Sequence, residues 1–231
     1  MHLFYRQLCR YRGPSTLLIV LLFNLFAVCS SSAGEFALSK QILTKIEKQY
    51  GSYARQRLVS WRDLINHHQQ LNDLAKLEKV NNFFNSLEFL NDIDHWGEDD
   101  YWATPLQMLA SNGGDCEDFS IAKYFTLREM GIPAERLRLT YVKALKLNQA
   151  HMVLTYFPTA EADPLVLDNL TGEISSASDR VDLLPVYSFN GSGLWLAKAR
   201  GADKRVGRSE RLSRWREVIA RIDKEQLALS R

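Results

Sequence analysis

The order of the hydrophobic patterns predicts an α+β domain: helices first, then an antiparallel sheet, and one amphipathic helix to close the chain. Three observations carry that prediction. Apolar residues recur every three to four positions from residue 38 to about residue 90. Apolar and polar residues alternate from residue 136 to about residue 170. The end of the chain then returns to the helical period.

The helices come in order. In "QILTKIEKQYG", Ile42, Ile46 and Tyr50 lie four apart and Gly51 stops the run. "ARQRLVSWRDLINHHQQL" sets Leu58, Trp61, Leu64 and Ile65 on one stripe, and "LAKLEKVNNFFNSLEFL" does the same with Leu74, Leu77, Val80, Phe84 and Leu87. "NDIDHWGEDD" opens like a calcium-binding EF-hand loop, with Asp92, Asp94 and Gly97 at positions one, three and six. Trp96 occupies position five, and Ala103 stands where position twelve needs a bidentate Glu, so this stretch is expected to be a solvated loop. Trp102 is expected to pack in the core. "TPLQMLASNGG" follows, with Pro105 suited to the first turn of a helix. A second helix runs from Cys116 to Met130, ended by Gly131 and Pro133.

The strands are "RLRLTYVKAL" (136–145), "HMVLTYF" (151–157) and "LVLDNL" (165–170), the last turning at Thr171 and Gly172. The basic stretch "RGADKRVGRSER" (200–211) is expected to be a solvated link. The last helix presents Leu212, Trp215, Ile219 and Ile222 to the core.

The 231 residues suit one domain with appendages, and 46% hydrophobic residues suffice for a packed core. A net charge of +2 excludes a nucleic-acid signature. Arg6, Arg10 and Arg12 precede the apolar run "LLIVLLFNLFAV" (17–28), and "CSSSAG" follows. That is the pattern of a secretory signal peptide over 1–33, cleaved near Ala33. The run is shorter than the roughly 20 residues a membrane span requires. Val28 is too bulky for the small residue that precedes a lipidated Cys29. Cleavage removes three of the 29 basic residues and none of the 27 acidic ones, which leaves a net charge of −1. It also removes Cys9 and Cys29, so the domain at 34–231 keeps Cys116 as its one cysteine. An unpaired thiol in an oxidising compartment points to chemistry rather than packing.

"GGDCEDF" (113–119) places that thiol at the start of a helix, where free N–H groups and the positive end of the helix dipole favour a thiolate. Gly113 and Gly114 would let a substrate backbone approach closely. His151 opens one strand and Asp168 lies in the next, so two adjacent antiparallel strands can set them side by side. Nucleophile, base and orienting acid then come from Cys116, His151 and Asp168, with the imidazole facing the sulfur and the carboxylate behind it. Asp115, Glu117 and Asp118 form a hard-oxygen cluster that suits Ca²⁺, and equally suits the positive end of the helix dipole.

The blocks "GDCEDFSIAKYFTLREMGIP", "AHMVLTYF" and "LVLDNLTGEI", with "YWATPLQML" upstream, resemble the bacterial transglutaminase-like cysteine proteinases of the LapG type over roughly residues 36–225. The resemblance implies a papain- or transglutaminase-like core, with Cys116 as nucleophile, His151 as base and Asp168 as orienting acid. It implies calcium bound beside the nucleophile at Asp115 and Glu117, with Asp118 as a further ligand. It implies a periplasmic endopeptidase that cuts the N-terminal region of a large surface adhesin and so controls biofilm attachment. It also implies an inner-membrane cyclic di-GMP receptor as a regulatory partner. Two other readings use the same residues. One is a transglutaminase-like acyltransferase or amidase; the other is a non-catalytic periplasmic interaction protein.

Overall fold

The computed structural model describes residues 35–197 and 203–229. The expected leader, with Cys9 and Cys29, lies outside the described residues.

Helices come first, as the patterning requires. Ser39 caps α1 (Lys40–Tyr50) by accepting from the Ile42 N–H, and Gly51 ends it at φ +88°, which glycine adopts without a Cβ clash. Helices α2 (Ser52–His68) and α3 (Asp73–Phe84) follow, the latter capped by Asn72. Their stripes are inward: Leu58, Ile65, Leu77, Val80 and Phe84 are fully buried. Tyr50 and Leu74, expected on the same stripes, are exposed. Each sits in a terminal turn, where period alone does not decide what covers a side chain.

A short parallel pair, β1 (Glu88–Phe89) and β2 (Gly113–Gly114), brackets two more helices, α4 (Asp92–His95) and α5 (Pro105–Ser111). Thr104 starts α5 with a capping box: its hydroxyl accepts from the Gln107 N–H while the Gln107 side chain accepts from the Thr104 N–H. The next helix, α6 (Cys116–Glu129), is buried almost all round, through Phe119, Ile121, Ala122, Tyr124 and Leu127. Polar Asp118, Ser120, Lys123 and Thr126 are buried with them, so the helix lies inside the domain rather than on its surface. Trp61 of α2 donates to Thr126 of α6 across 2.8 Å, a buried tie between the two.

The sheet is antiparallel, in the order β6-β5-β4-β3-β7-β8-β9. Its centre is β3 (Leu137–Ala144), β4 (Gln149–Tyr156) and β5 (Leu165–Leu167), close to the expected strands. The third ends three residues early, which puts Asp168 just past a strand end. Along β4, Met152, Leu154 and Tyr156 join the main core, while Val153 joins a smaller cluster with Val142 and Val166.

The strands β6 (Ser175–Ser176), β7 (Leu183–Phe189), β8 (Leu194–Leu196) and β9 (Lys204–Gly207) were not expected. Pro185 interrupts β7, and Leu184 and Val186 are exposed, so no clean alternation marks it. The edge strand β9 falls inside the expected link, and it exposes Lys204 and Arg205 as edge strands commonly do. Helix α7 (Ser213–Leu229) buries Trp215, Val218 and Ile222. No helix among the described residues is long and apolar enough to cross a membrane.

Candidate active site

Cys116 is the first residue of α6, and Asp115 occupies the cap position before it. The Ser120 hydroxyl lies 2.9 Å from the Cys116 carbonyl and 3.0 Å from the Met152 carbonyl. It thereby holds the start of α6 against β4, the strand that carries His151. Cys116, Glu117, His151, Trp102, Tyr141 and Asp100 line one cleft of about 590 Å³. A larger cavity of about 700 Å³, against Val142, Val153 and Val166, has neither thiol nor imidazole in its wall. The chemistry therefore belongs to the smaller one. Trp102 is core and cleft wall at once, stacked on Phe189 with centroids 5.8 Å apart.

His151 and Asp168 meet, although Asp168 lies just past the end of β5. His151 Nε2 lies 2.8 Å from Asp168 Oδ1, and both side chains are buried. Burial opposes the charge on Asp168. Hydrogen bonds from His151 and from the Leu170 N–H, together with the Arg180 guanidinium, overcome it and hold the carboxyl down at about 2. An ionised carboxylate only accepts, so Nε2 carries the proton in this contact and Nδ1 is left as the basic nitrogen.

The thiol departs from expectation. Its hydrogen bond goes to Glu117 Oε2 at 3.0 Å; among the described residues His151 is not a partner. Burial pushes the Cys116 thiol well above its usual range, and the charges of Glu117 and Asp115 push it further. A protonated thiol surrounded by carboxylates donates to the nearest one.

The glycine pair also serves a different purpose from the one expected. A Cβ on Gly113 would lie 2.3 Å from the Glu88 carbonyl oxygen, and one on Gly114 would lie 2.3 Å from Asp118 Oδ2. The close approach is made by the protein's own backbone and carboxylate, not left open for substrate.

Comparison with known proteins places this geometry. Residues 54–183 match the family model for the bacterial transglutaminase-like cysteine proteinases. The chain belongs to that family. A calcium-bound structure of Legionella pneumophila LapG is 44% identical, over 79% of this chain and 98% of that one, with a TM-score of 0.68. An EGTA-treated LapG structure from the same organism is 45% identical, over 80% and 99%, with a TM-score of 0.67. A third LapG structure is 46% identical, over 78% and 95%, also with a TM-score of 0.67. No curated protein sequence matches the chain.

The acids of this family member gather more tightly than the "DCED" run alone suggests. Asp92, Asp115 and Asp118 bring carboxylate oxygens within 4.8 Å of one another, and so do Asp92, Asp100 and Glu117. Asp92 was expected in a solvated loop, and the structure corrects this: it is 4% exposed, and one of its oxygens accepts from the Tyr101 N–H at 2.6 Å. The loop instead folds back, so that its first acid meets the helix that Asp115 caps.

Asp92 Oδ1, Asp115 Oδ1 and Asp118 Oδ2 are buried without hydrogen-bond partners among the described residues. Burial raises Asp92 to about 6 and pushes Asp118 far above the usual carboxylate range. Burial and the adjacent Glu117 do the same to Asp115. Crowded, orphaned carboxylate oxygens are a donor set that fits a hard divalent cation. Arg180, bonded to Asp168 Oδ2, and Asp100, in the cleft wall, also belong to the site, and neither carries a signal in the sequence. Arg180 lies 12 residues beyond Asp168 in no motif, and Asp100 sits in an acidic run where nothing distinguishes it.

Proposed function

We propose that this chain is an exported, calcium-dependent cysteine endopeptidase, with residues 1–33 as its cleaved leader and the periplasm as its compartment. The observation that carries the reading is the buried His151–Asp168 pair, of which His151 lines the cleft that holds the Cys116 thiol at a helix N-terminus.

Cys116 Sγ attacks the scissile carbonyl. His151 Nδ1 receives the thiol proton and returns it to the leaving amine; water then hydrolyses the thioester. Asp168 accepts from Nε2–H throughout, keeping Nδ1 the basic nitrogen. N–H groups of the first turn of α6 have no partner within the helix and are the donors available to the carbonyl oxygen as it gains charge. Asp115, Glu117 and Asp118, joined by Asp92, would hold Ca²⁺. A bound Ca²⁺ supplies positive charge that offsets the acids around the sulfur.

The resemblance of the "GDCEDF" and "AHMVLTYF" blocks to the LapG type of proteinase implies the substrate: the N-terminal region of a large cell-surface adhesin, whose release disperses a biofilm. The same resemblance implies an inner-membrane cyclic di-GMP receptor as the partner that sequesters the enzyme.

Incubating the purified protein with adhesin N-terminal fragments and Ca²⁺ tests this reading. Cleavage is expected, and is expected to disappear in Cys116→Ala and with EGTA. Undiminished cleavage by Cys116→Ala would overturn the assignment of the nucleophile. Amine incorporation in place of hydrolysis, with an added primary amine, would favour a transglutaminase-like acyltransferase. Adhesin or receptor binding without cleavage would favour an interaction protein.

A further inference from the structure

Asp168 can orient His151 only if something orients Asp168. An aspartate χ2 torsion is soft and broad, so one hydrogen bond does not fix the carboxylate plane. Oδ1 is engaged by His151 Nε2 at 2.8 Å and by the Leu170 N–H at 3.0 Å. Oδ2 is engaged by Arg180 Nη2 at 2.8 Å. Arg180 is 8% exposed and is itself clamped: Nε reaches Asp182 Oδ1 at 2.9 Å and Nη2 reaches Asp182 Oδ2 at 3.0 Å. A planar guanidinium gripped along its Nε–Nη2 edge presents the second Nη2 N–H in a fixed direction. From the other side, Asn85, the residue that follows α3, donates to the Asp168 carbonyl at 2.8 Å, which holds the backbone but leaves the carboxylate free to turn.

The titratable and charged groups around this carboxylate are few. His151 faces it from β4 and Arg180 from the segment before β7. Buried Lys123 of α6, held by Asn81 at 2.8 Å, acts on it through space. Asp182 faces Arg180, with Lys146 beyond it. Arg180 is the one cation among the described residues that forms a salt bridge with Asp168 Oδ2.

We propose that Arg180 is a positioning residue for His151: it fixes the plane of the Asp168 carboxylate, and through it the Nε2–H tautomer and the ring orientation, while Asp182 holds the guanidinium in place. The role rests on the catalytic reading of Cys116, His151 and Asp168.

Two readouts test it on the purified protein in calcium buffer. The first is the nitrogen-15 spectrum of the His151 ring, assigned by its loss in His151→Ala. The second is the rate of iodoacetamide alkylation at Cys116, resolved by mass. Wild type is expected to show the Nε2–H tautomer alone. Arg180→Met is expected to mix the two tautomers and slow alkylation about tenfold or more, since a misplaced tautomer disables the base. Arg180→Lys is expected to recover part of both, and Asp182→Asn to weaken both by a smaller factor. Wild-type tautomer and rate in a folded Arg180→Met would overturn the proposal. Should Arg180→Met not fold, wild-type behaviour in both Arg180→Lys and Asp182→Asn would overturn it equally. If wild-type Cys116 alkylates no faster than in His151→Ala, the catalytic reading fails instead, and the tautomer alone decides the role of Arg180.

Discussion

Cys116 Sγ donates to Glu117 Oε2 across 3.0 Å, so the candidate nucleophile is hydrogen-bonded to a candidate cation ligand. Burial, then the charges of Glu117 and Asp115, keep that thiol protonated in the calcium-free protein. Calcium is therefore expected to speed iodoacetamide alkylation of Cys116 at neutral pH by roughly tenfold or more, the equivalent of one pKa unit or above. Glu117→Gln in chelator is expected to raise the basal rate and to blunt the calcium response. A wild-type rate that ignores calcium would contradict this coupling.

The second relationship is between His151 and Asp168, and it has a consequence for acid stability. Asp168 sits at about 2 in the folded protein, below its unfolded value near 3.8. A depressed carboxyl contributes stability above the unfolded value and loses it as pH falls through the folded one. The window is therefore about pH 4 down to pH 2, and the pH-dependent part is on the order of 2 kcal/mol. Thermal melts of wild type and Asp168→Asn should differ most above pH 4 and converge toward pH 2. Parallel curves across that window would refute the assignment.

Much of this was legible in the sequence because it rests on local period. The α6 helix, strands β3 and β4, and the pairing of His151 with Asp168 follow from apolar spacing and from two adjacent strands. What escaped depends on chain return. Asp92 looked solvated because a loop's fold-back leaves no periodic trace, and Arg180 had no motif because its partners lie 12 residues before it and two after. Glycines announce a close approach, but not what approaches: at Gly114 it is the Asp118 carboxylate. The edge strands escaped because backbone pairing, not burial, defines them.

Asp92 carries the next prediction. Its buried Oδ1 lacks a partner among the described residues, and it shares an oxygen cluster with Asp115 and Asp118. A ligand that binds only the folded state stabilises it by about 2.7 kcal/mol at 100 times its dissociation constant. Calcium is expected to raise the melting temperature of wild type by several degrees. Asp92→Asn is expected to melt at or above the wild-type temperature in EGTA, since it removes a buried charge, and to gain far less from calcium. Equal calcium shifts in both proteins would remove Asp92 from the site.

Gly114→Ala tests the packing of that cluster from the backbone side. The new Cβ would stand 2.3 Å from Asp118 Oδ2 and 2.7 Å from Asp118 Cβ, so the carboxylate must move. Overpacking of this kind costs about 1–3 kcal/mol. Denaturant melts should show that loss, and calorimetry should show weaker calcium binding. Unchanged affinity would mean that Asp118 can shift without disturbing the site.

Glu225 supplies a pH dependence away from the cleft. Burial raises its carboxyl to about 7, with the Thr104 hydroxyl donating at 2.8 Å in opposition. Thr104 is also the cap of α5, so the contact ties α7 to that helix. A raised carboxyl is most favourable to folding below its unfolded value near 4.5, and its contribution is lost as pH climbs through about 7. Wild type should therefore lose melting temperature between pH 5 and pH 8 relative to Glu225→Gln, which cannot ionise. The two curves are expected to run closest near pH 4 and to separate with the variant higher above pH 7; a constant gap across that range would show that Glu225 does not titrate there.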